Sequence, residues 1–156
     1  MTQYWLFKTE PDAFSIDDLA ACPNKREGWD GIRNYQARNF MRDQMLVGDK
    51  AFIYHSSCKD VGIVGLAKVS QTGLVDPLQF EPESKYFDPK SSPDNPRWVM
   101  VELEHVETFN NILSLKTIKN MPSISEIGLV KKGGRLSIMP VSENEFQLLL
   151  SAAKQS

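Results

Sequence analysis

Glycines interrupt the longest β-rich part of the chain, and this pattern limits the folds that the chain can form. Residues 50–55 read Lys-Ala-Phe-Ile-Tyr-His, and residues 61–69 continue a β-rich run that contains Gly62 and Gly65. Glycine inside a strand permits a bulge or the close approach of another backbone, and both occur where a small sheet bends. The pattern therefore predicts two strands of a curved sheet, and it favours a barrel over a flat sheet.

Short strands are also predicted before and after this part of the chain. Apolar runs or alternating apolar and polar residues occur at residues 4–7, 97–109 and 136–139. The glycine pair at residues 133–134 predicts a turn before the last of these strands. The polar, proline-rich stretch 76–96 is too long for a simple turn, so it predicts a lid or the wall of a cleft.

Helices are predicted at four places. Ser15 has the position of an N-cap for a short helix that ends near Pro23, and apolar residues approximate helical spacing over residues 32–46. A weaker helix is predicted at residues 114–119, and a closing helix follows the capping-box sequence at residues 142–145. Together with the strands, these helices indicate a chain of mixed α and β type.

Composition favours one domain and excludes several functions. With 156 residues and 41% hydrophobic content, the chain can form one sizeable core. The formal net charge of −2 argues against a strongly basic phosphate-binding surface, although a local basic patch can still bind nucleic acid. Since no apolar run is long enough to span a membrane, we expect an intracellular protein, nuclear if the source is eukaryotic and cytoplasmic if it is bacterial.

Cysteine and histidine are too few and too scattered for a recognisable metal site. The sequence contains Cys22 and Cys58, and its histidines are His55 and His105. This set provides neither a disulfide framework nor the ligand spacing of a zinc site. We therefore expect free thiols, no metal, no cofactor and a monomeric protein.

The run of residues 29–39 has the highest density of recognition chemistry in the chain. Its sequence, Trp-Asp-Gly-Ile-Arg-Asn-Tyr-Gln-Ala-Arg-Asn, contains two aromatic residues, two arginines and three amides. Aromatic faces stack on planar rings, amides pair with a base edge, and arginine contacts a phosphate or stacks on a base. This combination suits a nucleobase or nucleotide ligand. The alternative is a loop that enters an amphipathic helix, with the aromatic residues in the core and the arginines in solvent.

Four segments of the chain resemble the EVE domain family. They are residues 4–11 (Tyr-Trp-Leu-Phe-Lys-Thr-Glu-Pro), residues 29–39, residues 52–56 (Phe-Ile-Tyr-His-Ser) and the pair Arg97 and Trp98. These motifs are long and ordered, and the resemblance covers essentially the whole chain. Thr9 and Ile32 stand where serine and valine are common in the family, and both changes are conservative.

The resemblance implies a fold and a function. The family fold is α+β and PUA-like, a strongly curved β-barrel flanked by short helices, and it is related to the YTH readers of methylated RNA. The family recognises modified bases, chiefly modified cytosine in DNA. The resemblance therefore implies a single EVE domain over residues 1–156 and a nucleic-acid partner with a modified base, DNA rather than RNA.

On this basis, a flipped or single-stranded base is expected to enter a cleft beside the barrel. Trp29 is expected to stack on the base, with Tyr35 and Trp98 as further aromatic walls, and the alternative for each is burial in the core. Stacking of a base on an aromatic residue is worth about 1–3 kcal/mol, which is comparable with the few kcal/mol that extrusion of a base costs.

Polar side chains are expected to contact the base edge and the phosphates. The candidates for the base edge are Asn34, Ser56 and Asp88. The candidates for phosphate contacts are Lys8, Arg33 and Arg38. Asn39 and His55 complete the predicted site, and Asn39 is expected to hold the backbone. Turn-forming roles are the alternatives for Ser56 and Asp88.

Two rival functions are also considered. His55 lies beside Ser56 and near Cys58, a grouping that can generate a nucleophile for a hydrolase. Neighbouring residues in a strand point to opposite faces, however, and no nucleophile elbow, phosphate loop or metal motif is present, so we expect no catalysis. The second rival is an RNA-binding barrel without specificity for modified bases.

Overall fold

The computed structural model describes residues 2–131 and 136–155, and these residues form six strands and four α-helices. The strands are β1 (Tyr4–Thr9), β2 (Arg26–Gly28), β3 (Lys50–His55), β4 (Gly62–Val75), β5 (Val99–Ser114) and β6 (Ile138–Val141). The α-helices are α1 (Ile16–Ala21), α2 (Tyr35–Asn39), α3 (Leu115–Lys119) and α4 (Glu143–Gln155). The turn expected at residues 133–134 lies outside the described residues.

The strands form one mixed sheet in the order β2-β5-β4-β3-β1-β6. β1 runs parallel to β3, with Phe7 opposite Ile53, and antiparallel to β6, with Phe7 opposite Ile138. The α+β fold class is therefore confirmed. Within the part of the chain that the structure describes, β2 and β6 are the two edges of the sheet, so strand pairing does not close it into a complete barrel.

The predicted close approach of backbones at the glycines occurs where β4 meets β5. A Cβ atom on Gly65 would lie 2.6 Å from the carbonyl oxygen of Glu107 and 2.8 Å from Cδ1 of Ile16. Only glycine fits this space without displacing backbone. Register shifts recur along the β4–β5 pair, and one occurs in the β3–β4 pair between Ile53 and Tyr54. These irregularities bend the long strands, as bulges do.

Apolar side chains pack on both faces of the sheet. Trp5 and Phe7 belong to one buried cluster, whereas Leu6 between them belongs to the other, as the alternation of side chains along a strand requires. The first cluster includes apolar residues of α1 and α2, and the second includes residues of α3 and α4. The helices thus cover opposite faces of the sheet, and the candidate functional residues lie on the side of α1 and α2.

The predicted start of α1 at Ser15 is confirmed by a capping box. The Ser15 hydroxyl accepts a hydrogen bond from the backbone N–H of Asp18 at 3.1 Å, and the Asp18 carboxylate accepts one from the Ser15 N–H at 2.8 Å. The predicted short helix α3 also begins with a serine N-cap, Ser114, whose hydroxyl accepts from the Thr117 N–H at 3.1 Å. Local sequence therefore determines where both helices begin.

The capping box predicted for α4 is only half formed. The Ser142 hydroxyl accepts a hydrogen bond from the Glu145 N–H at 3.2 Å, but the Glu145 carboxylate accepts none from the Ser142 N–H in the described chain. This buried carboxylate instead accepts three N–H groups, each at 2.9 Å, from Ser125, Glu126 and Ile127. Glu145 therefore fixes the preceding connection to α4, because a buried carboxylate must be satisfied by hydrogen bonds.

Candidate functional site

A cleft of about 920 Å³ lies beside the carboxyl ends of the parallel strands β1 and β3. This volume is within the range of small-molecule and cofactor sites. Three aromatic residues contribute to its lining, namely Phe14, Trp29 and Tyr86. Polar residues from β1, from the turn after β3 and from the segment between β2 and α2 line it as well. The cleft can therefore contact both the face and the edge of a planar ligand.

The structure brings some of the predicted site residues together in this cleft and places the others elsewhere. The predicted residues that line the cleft are Lys8, Trp29, Arg33, Asn34 and Ser56. The predicted residues that do not line it are Tyr35, Arg38, Asn39, His55, Asp88 and Trp98. The predicted site thus divides into a cleft and a set of supporting contacts next to it.

Trp29 lies at the floor of the cleft rather than forming an open wall. Its side chain is only 7% exposed, and its ring packs edge-to-face against Phe7 and Phe14, each with a centroid distance of 5.6 Å. Its backbone N–H donates to the carbonyl of Val101 at 2.8 Å. The alternative, burial in the core, therefore describes most of the Trp29 ring, and stacking of the indole on a base stays a prediction.

Arg33 is tied to the protein by several hydrogen bonds. Its guanidinium donates to the buried carboxylate of Asp76 at 2.9 Å, and two of its nitrogens donate to the carbonyl of Tyr86 at 2.9 and 3.0 Å. The same Asp76 carboxylate accepts the Gly31 N–H at 2.8 Å. These contacts join the segment after β2 to the 76–96 stretch, so Arg33 contributes to the cleft chiefly by fixing one of its walls.

The amide of Asn34 is partly used as a helix cap. Its Oδ1 accepts a hydrogen bond from the backbone N–H of Ala37 at 3.0 Å, and this N-cap explains why α2 begins at Tyr35 and not at residue 32. One of the two lone pairs of Oδ1 is thus used by the helix, and contact of Asn34 with a base edge stays a prediction. Its NH₂ group is the part that can still donate to a ligand.

Lys8 and Ser56 present polar groups at the ends of β1 and β3. The Lys8 ammonium lies 5.7 Å from the ring centroid of Tyr54, and burial lowers the pKa of Lys8. The backbone N–H of Ser56 donates to the carbonyl of Thr9 at 2.9 Å, which holds the two strand ends together. Within residues 2–131 and 136–155, neither the Lys8 ammonium nor the Ser56 hydroxyl has a hydrogen-bond or ion-pair partner. Both groups can donate to a ligand.

Beside the cleft lies a stack of rings and cations that we call the Tyr35–Trp98 layer, formed by Tyr35, Trp98, Arg33 and Arg38. The Tyr35 and Trp98 rings stack at a centroid distance of 4.8 Å. The Arg38 guanidinium lies 4.6 Å from the Tyr35 ring centroid, and that of Arg33 lies 5.1 Å from the Trp98 ring centroid. Trp98 is buried, whereas Tyr35 is half exposed. The two expected aromatic walls therefore stack on each other.

Most polar groups around the Tyr35–Trp98 layer have partners. The indole N–H of Trp98 donates to Asp88 at 2.8 Å, and this hydrogen bond is the main cause that lowers the pKa of Asp88. The Arg38 guanidinium donates to the carbonyl of Arg97 at 3.1 Å and to Oδ1 of Asn39 at 2.9 and 3.1 Å. Asp88, expected at the base edge, instead accepts a hydrogen bond from Trp98. Asn39, expected to hold the backbone, instead accepts hydrogen bonds from the Arg38 side chain.

His55 has a structural role at the start of α1. Its Nε2 accepts a hydrogen bond from the backbone N–H of Ile16 at 3.1 Å, which requires a neutral ring nitrogen. Burial lowers the pKa of His55, which favours this neutral form. In the described parts of the chain, His55 makes no hydrogen bond to Ser56 or Cys58. The nucleophile–base pair of the hydrolase alternative is therefore not formed here, and His55 is not a cleft residue.

Among the cleft-lining residues that sequence reasoning did not select are Phe14, Asp30 and Tyr86. The long stretch 76–96 was nevertheless identified as a wall, and Tyr86 is where this wall reaches the cleft. The Tyr86 ring lies against Gly31, where a Cβ atom would be 3.0 Å from ring carbons and where the backbone has a φ of 78°. Only a glycine accepts both this contact and this conformation easily. The glycine at position 31 of the sequence could therefore have indicated that another side chain packs closely there.

The described residues contain no candidate metal-binding group, no disulfide and no candidate membrane-spanning helix. No group of three or more His, Cys, Asp and Glu side chains in the described chain could hold a metal ion. Cys22 and Cys58 are free thiols. None of the described helices combines the length and the apolar character needed to cross a membrane.

The mixed sheet and its lateral cleft define a ligand-binding domain of the α+β class, and comparison with known proteins gives the family. The EVE domain family model matches residues 3–152, so the chain belongs to the EVE domain family. Thymocyte nuclear protein 1 of Homo sapiens is 39% identical over 97% of this chain and 74% of its own length.

Solved structures of similar proteins agree with this assignment. A protein from Pseudomonas putida superposes with a TM-score of 0.91 at 44% identity, covering 96% of this chain and 99% of that one. Human THYN1 protein, solved in complex with 5-methylcytosine-containing DNA, superposes with a TM-score of 0.88 at 36% identity, covering 99% of both chains. The PUA-like expectation for the fold is thereby confirmed.

Proposed function

We propose that this chain is a non-catalytic domain that binds DNA carrying a modified base, with modified cytosine as the base and the cleft as its site. The observation that carries the proposal is the human relative, which matches this chain over nearly its whole length and was solved with 5-methylcytosine-containing DNA. This activity would operate in the nucleus of a eukaryotic source and in the cytoplasm of a bacterial one.

The geometry of the cleft supports binding of a single extruded base. Its volume of about 920 Å³ exceeds what one base needs, so part of the attached sugar and phosphate also fits. Phe14 and Tyr86 provide aromatic surface at the sides, and Trp29 closes the floor. Lys8 and Ser56 provide donors at the strand ends. Stacking and edge contacts are each worth about 1–3 kcal/mol, so one of each offsets the cost of extruding the base.

The non-catalytic part of the proposal is supported by the role of His55. The Nε2 atom of His55 already accepts the Ile16 N–H, so Nδ1 carries the proton of the neutral ring, and His55 does not line the cleft. A general base needs a free nitrogen within hydrogen-bond reach of the proton that it removes. His55 would have to leave the start of α1 to meet that requirement.

The test is equilibrium binding to matched oligonucleotides at one physiological salt concentration. Single- and double-stranded DNA and RNA would carry cytosine, 5-methylcytosine, 5-hydroxymethylcytosine or methyladenine at one position. We expect a DNA oligonucleotide with modified cytosine to bind at least tenfold more tightly than its unmodified counterpart, a difference of about 1.4 kcal/mol. Equal binding of modified and unmodified DNA would overturn the proposal. Binding to RNA with the same affinity for modified and unmodified strands would favour the RNA-binding barrel without modification specificity.

A matched pair of lysine variants locates the binding surface. Lys8→Ala removes an ammonium that lines the cleft, and Lys154→Ala removes one from α4 that pairs with Glu107 at 2.9 Å. We expect Lys8→Ala to weaken binding of all oligonucleotides and Lys154→Ala to leave it unchanged. If the two variants behaved alike, the cleft would not be the binding site.

A further inference from the structure

Asp30 places a carboxylate in the cleft without a partner from another residue. The residue lines the cleft next to Trp29, and within residues 2–131 and 136–155 its carboxylate makes no ion pair and no hydrogen bond beyond the contact with its own backbone N–H. The neighbouring Asp76 carboxylate, in contrast, accepts hydrogen bonds from Gly31 and Arg33. Asp30 can therefore accept hydrogen bonds from a ligand.

The backbone around Asp30 is held in place. The Trp29 N–H donates to the Val101 carbonyl at 2.8 Å, and the Asp30 N–H donates to the Gly28 carbonyl at 3.1 Å. The Gly31 N–H donates to the buried carboxylate of Asp76 at 2.8 Å. Three successive backbone N–H groups are thus fixed, and aspartate has a short side chain. The carboxylate is therefore preorganised, and a ligand needs to pay little ordering entropy to use it.

The surroundings of Asp30 disfavour an isolated carboxylate. Burial raises the pKa of Asp30, and repulsion from Asp76 and Glu27 raises it further, while Arg33 lowers it only in part. Arg33 cannot move freely towards Asp30, because its donors are used by Asp76 and by the Tyr86 carbonyl. Asp30 is an exposed residue, so a hydrogen-bond donor brought by a ligand would replace water at a carboxylate that no other residue of the described chain binds.

We propose that Asp30 accepts a hydrogen bond from the exocyclic amine of the bound base, so that the cleft accepts cytosine-type bases and rejects thymine-type bases. This inference rests on the proposed function and adds the residue that sets its base specificity. Cytosine carries an N4 amine, which donates, whereas thymine carries the O4 oxygen, which accepts, at the same ring position. If thymine were bound, the Asp30 carboxylate would face O4. Both groups are acceptors, so no hydrogen bond would form between them.

The distinction matters because 5-methylcytosine and thymine have the same methyl group on the same ring carbon. Stacking on the aromatic residues of the cleft and apolar contact with the methyl group are therefore similar for the two bases. Their hydrogen-bonding edges differ. A site built only from Phe14, Trp29 and Tyr86 would bind both, so specificity for cytosine needs an acceptor such as Asp30.

The experiment measures binding of three single-stranded DNA oligonucleotides that differ at one position, which is 5-methylcytosine, cytosine or thymine. Single strands remove differences in base pairing. For the unmodified protein we expect 5-methylcytosine to be preferred over thymine at least tenfold. Asp30→Asn keeps the size of the side chain and adds a donor that thymine O4 can accept. We expect this variant to bind thymine more tightly and to lower the preference to about threefold or less.

The matched control is Asp43→Asn, the same chemical change at an exposed carboxylate that pairs with Arg42 and does not line the cleft. We expect it to keep the wild-type preference for 5-methylcytosine over thymine. If Asp43→Asn lowered the preference as much as Asp30→Asn, a general effect of removing one negative charge would replace the specific role of Asp30. Circular dichroism of both variants verifies that the fold is retained.

The outcomes separate this inference from the function on which it rests. If the wild-type protein binds 5-methylcytosine and cytosine equally, the proposed function fails. If it prefers 5-methylcytosine over cytosine but Asp30→Asn leaves the preference over thymine unchanged, only the role of Asp30 fails. If Asp30→Asn lowers that preference while Asp43→Asn does not, both stand.

Discussion

The cleft and the Tyr35–Trp98 layer lie side by side and are built from the same kinds of residue, but their polar groups are used differently. In the layer, the Trp98 indole N–H is bonded to Asp88 and the Arg38 guanidinium is bonded to Asn39 and Arg97. In the cleft, the Lys8 ammonium and the Ser56 hydroxyl have no hydrogen-bond partner among the described residues, and the Asp30 carboxylate has none from another residue.

This difference indicates which region is support and which is interface. A polar group that already has its hydrogen bonds gains little from a ligand, because the new bond replaces an existing one. A polar group without a protein partner exchanges only water for the ligand. We therefore infer that the Tyr35–Trp98 layer supports the wall of the cleft, and Arg33 connects the two, since it contacts both Trp98 and Tyr86.

The largest expected effect is at Asp76, on which both regions depend. Asp76→Ala leaves the Arg33 guanidinium and the Gly31 N–H without their buried acceptor. Breaking a buried ion pair from one side costs about 3–5 kcal/mol, and we expect this loss in the free energy of unfolding measured in urea. Asp43→Ala breaks the fully exposed pair with Arg42 and should leave that free energy unchanged. A loss below 1 kcal/mol for Asp76→Ala would show that the two regions are not joined there.

The second largest effect is expected for Trp29→Ala. This variant tests whether the Trp29 ring mainly packs in the core at the floor of the cleft or mainly stacks on the ligand. Because the ring packs against Phe7 and Phe14, we expect the free energy of unfolding to fall by about 3 kcal/mol. Trp29→Phe should lose much less. A Trp29→Ala protein with wild-type stability and no binding preference would instead show that the indole stacks on the ligand.

A comparison of Lys8→Ala with Arg38→Ala sharpens the division between interface and support. If Lys8 contacts phosphate, its removal should reduce the slope of log affinity against log salt concentration by about 0.9 and leave the free energy of unfolding unchanged. Arg38→Ala should leave the slope unchanged and lower the free energy of unfolding by about 1 kcal/mol, through lost hydrogen bonds and ring contact. A reduced salt slope for Arg38→Ala would place the layer in the interface.

The smallest expected effect is the pH dependence of stability at Asp30. Burial and the charges of Asp76 and Glu27 raise the pKa of Asp30 in the folded protein, against the opposing effect of Arg33. The folded state therefore retains this proton to a higher pH than the unfolded state, and the contribution of Asp30 to stability falls as pH rises through its folded pKa. Asp30→Asn should remove this fall and be more stable than wild type at neutral pH, by less than about 1 kcal/mol because the side chain is partly exposed.

Unfolding in urea between about pH 3 and pH 7 measures this difference. The two proteins should have similar stability at the acidic end, where Asp30 is protonated in both the folded and the unfolded state. A variant that becomes less stable than wild type as pH rises would show that the Asp30 carboxylate has a stabilising partner.

Features made by residues that are close together in the sequence could be predicted, whereas features made by residues far apart in the sequence could not. Ser15 and Ser114 cap helices a few residues away, and Gly65 carries its own conformational signal, so these features were predictable. The roles of Arg33 and Trp98 depend on partners brought together by the fold, such as Asp76, which lies 43 positions from Arg33. The sequence showed which side chains can recognise a base, but only the fold shows which of them are already occupied.

The position of β1 within the sheet has a consequence for how the chain folds. β1 comes near the start of the chain, yet it pairs with β3 on one side and with β6 on the other. β6 pairs with no other described strand, so it can join the sheet only through β1. During synthesis on the ribosome, the second edge of β1 stays unpaired until β6, which ends at Val141, has been made. Such long-range pairing slows folding and leaves an unpaired strand edge exposed until β6 has been synthesised.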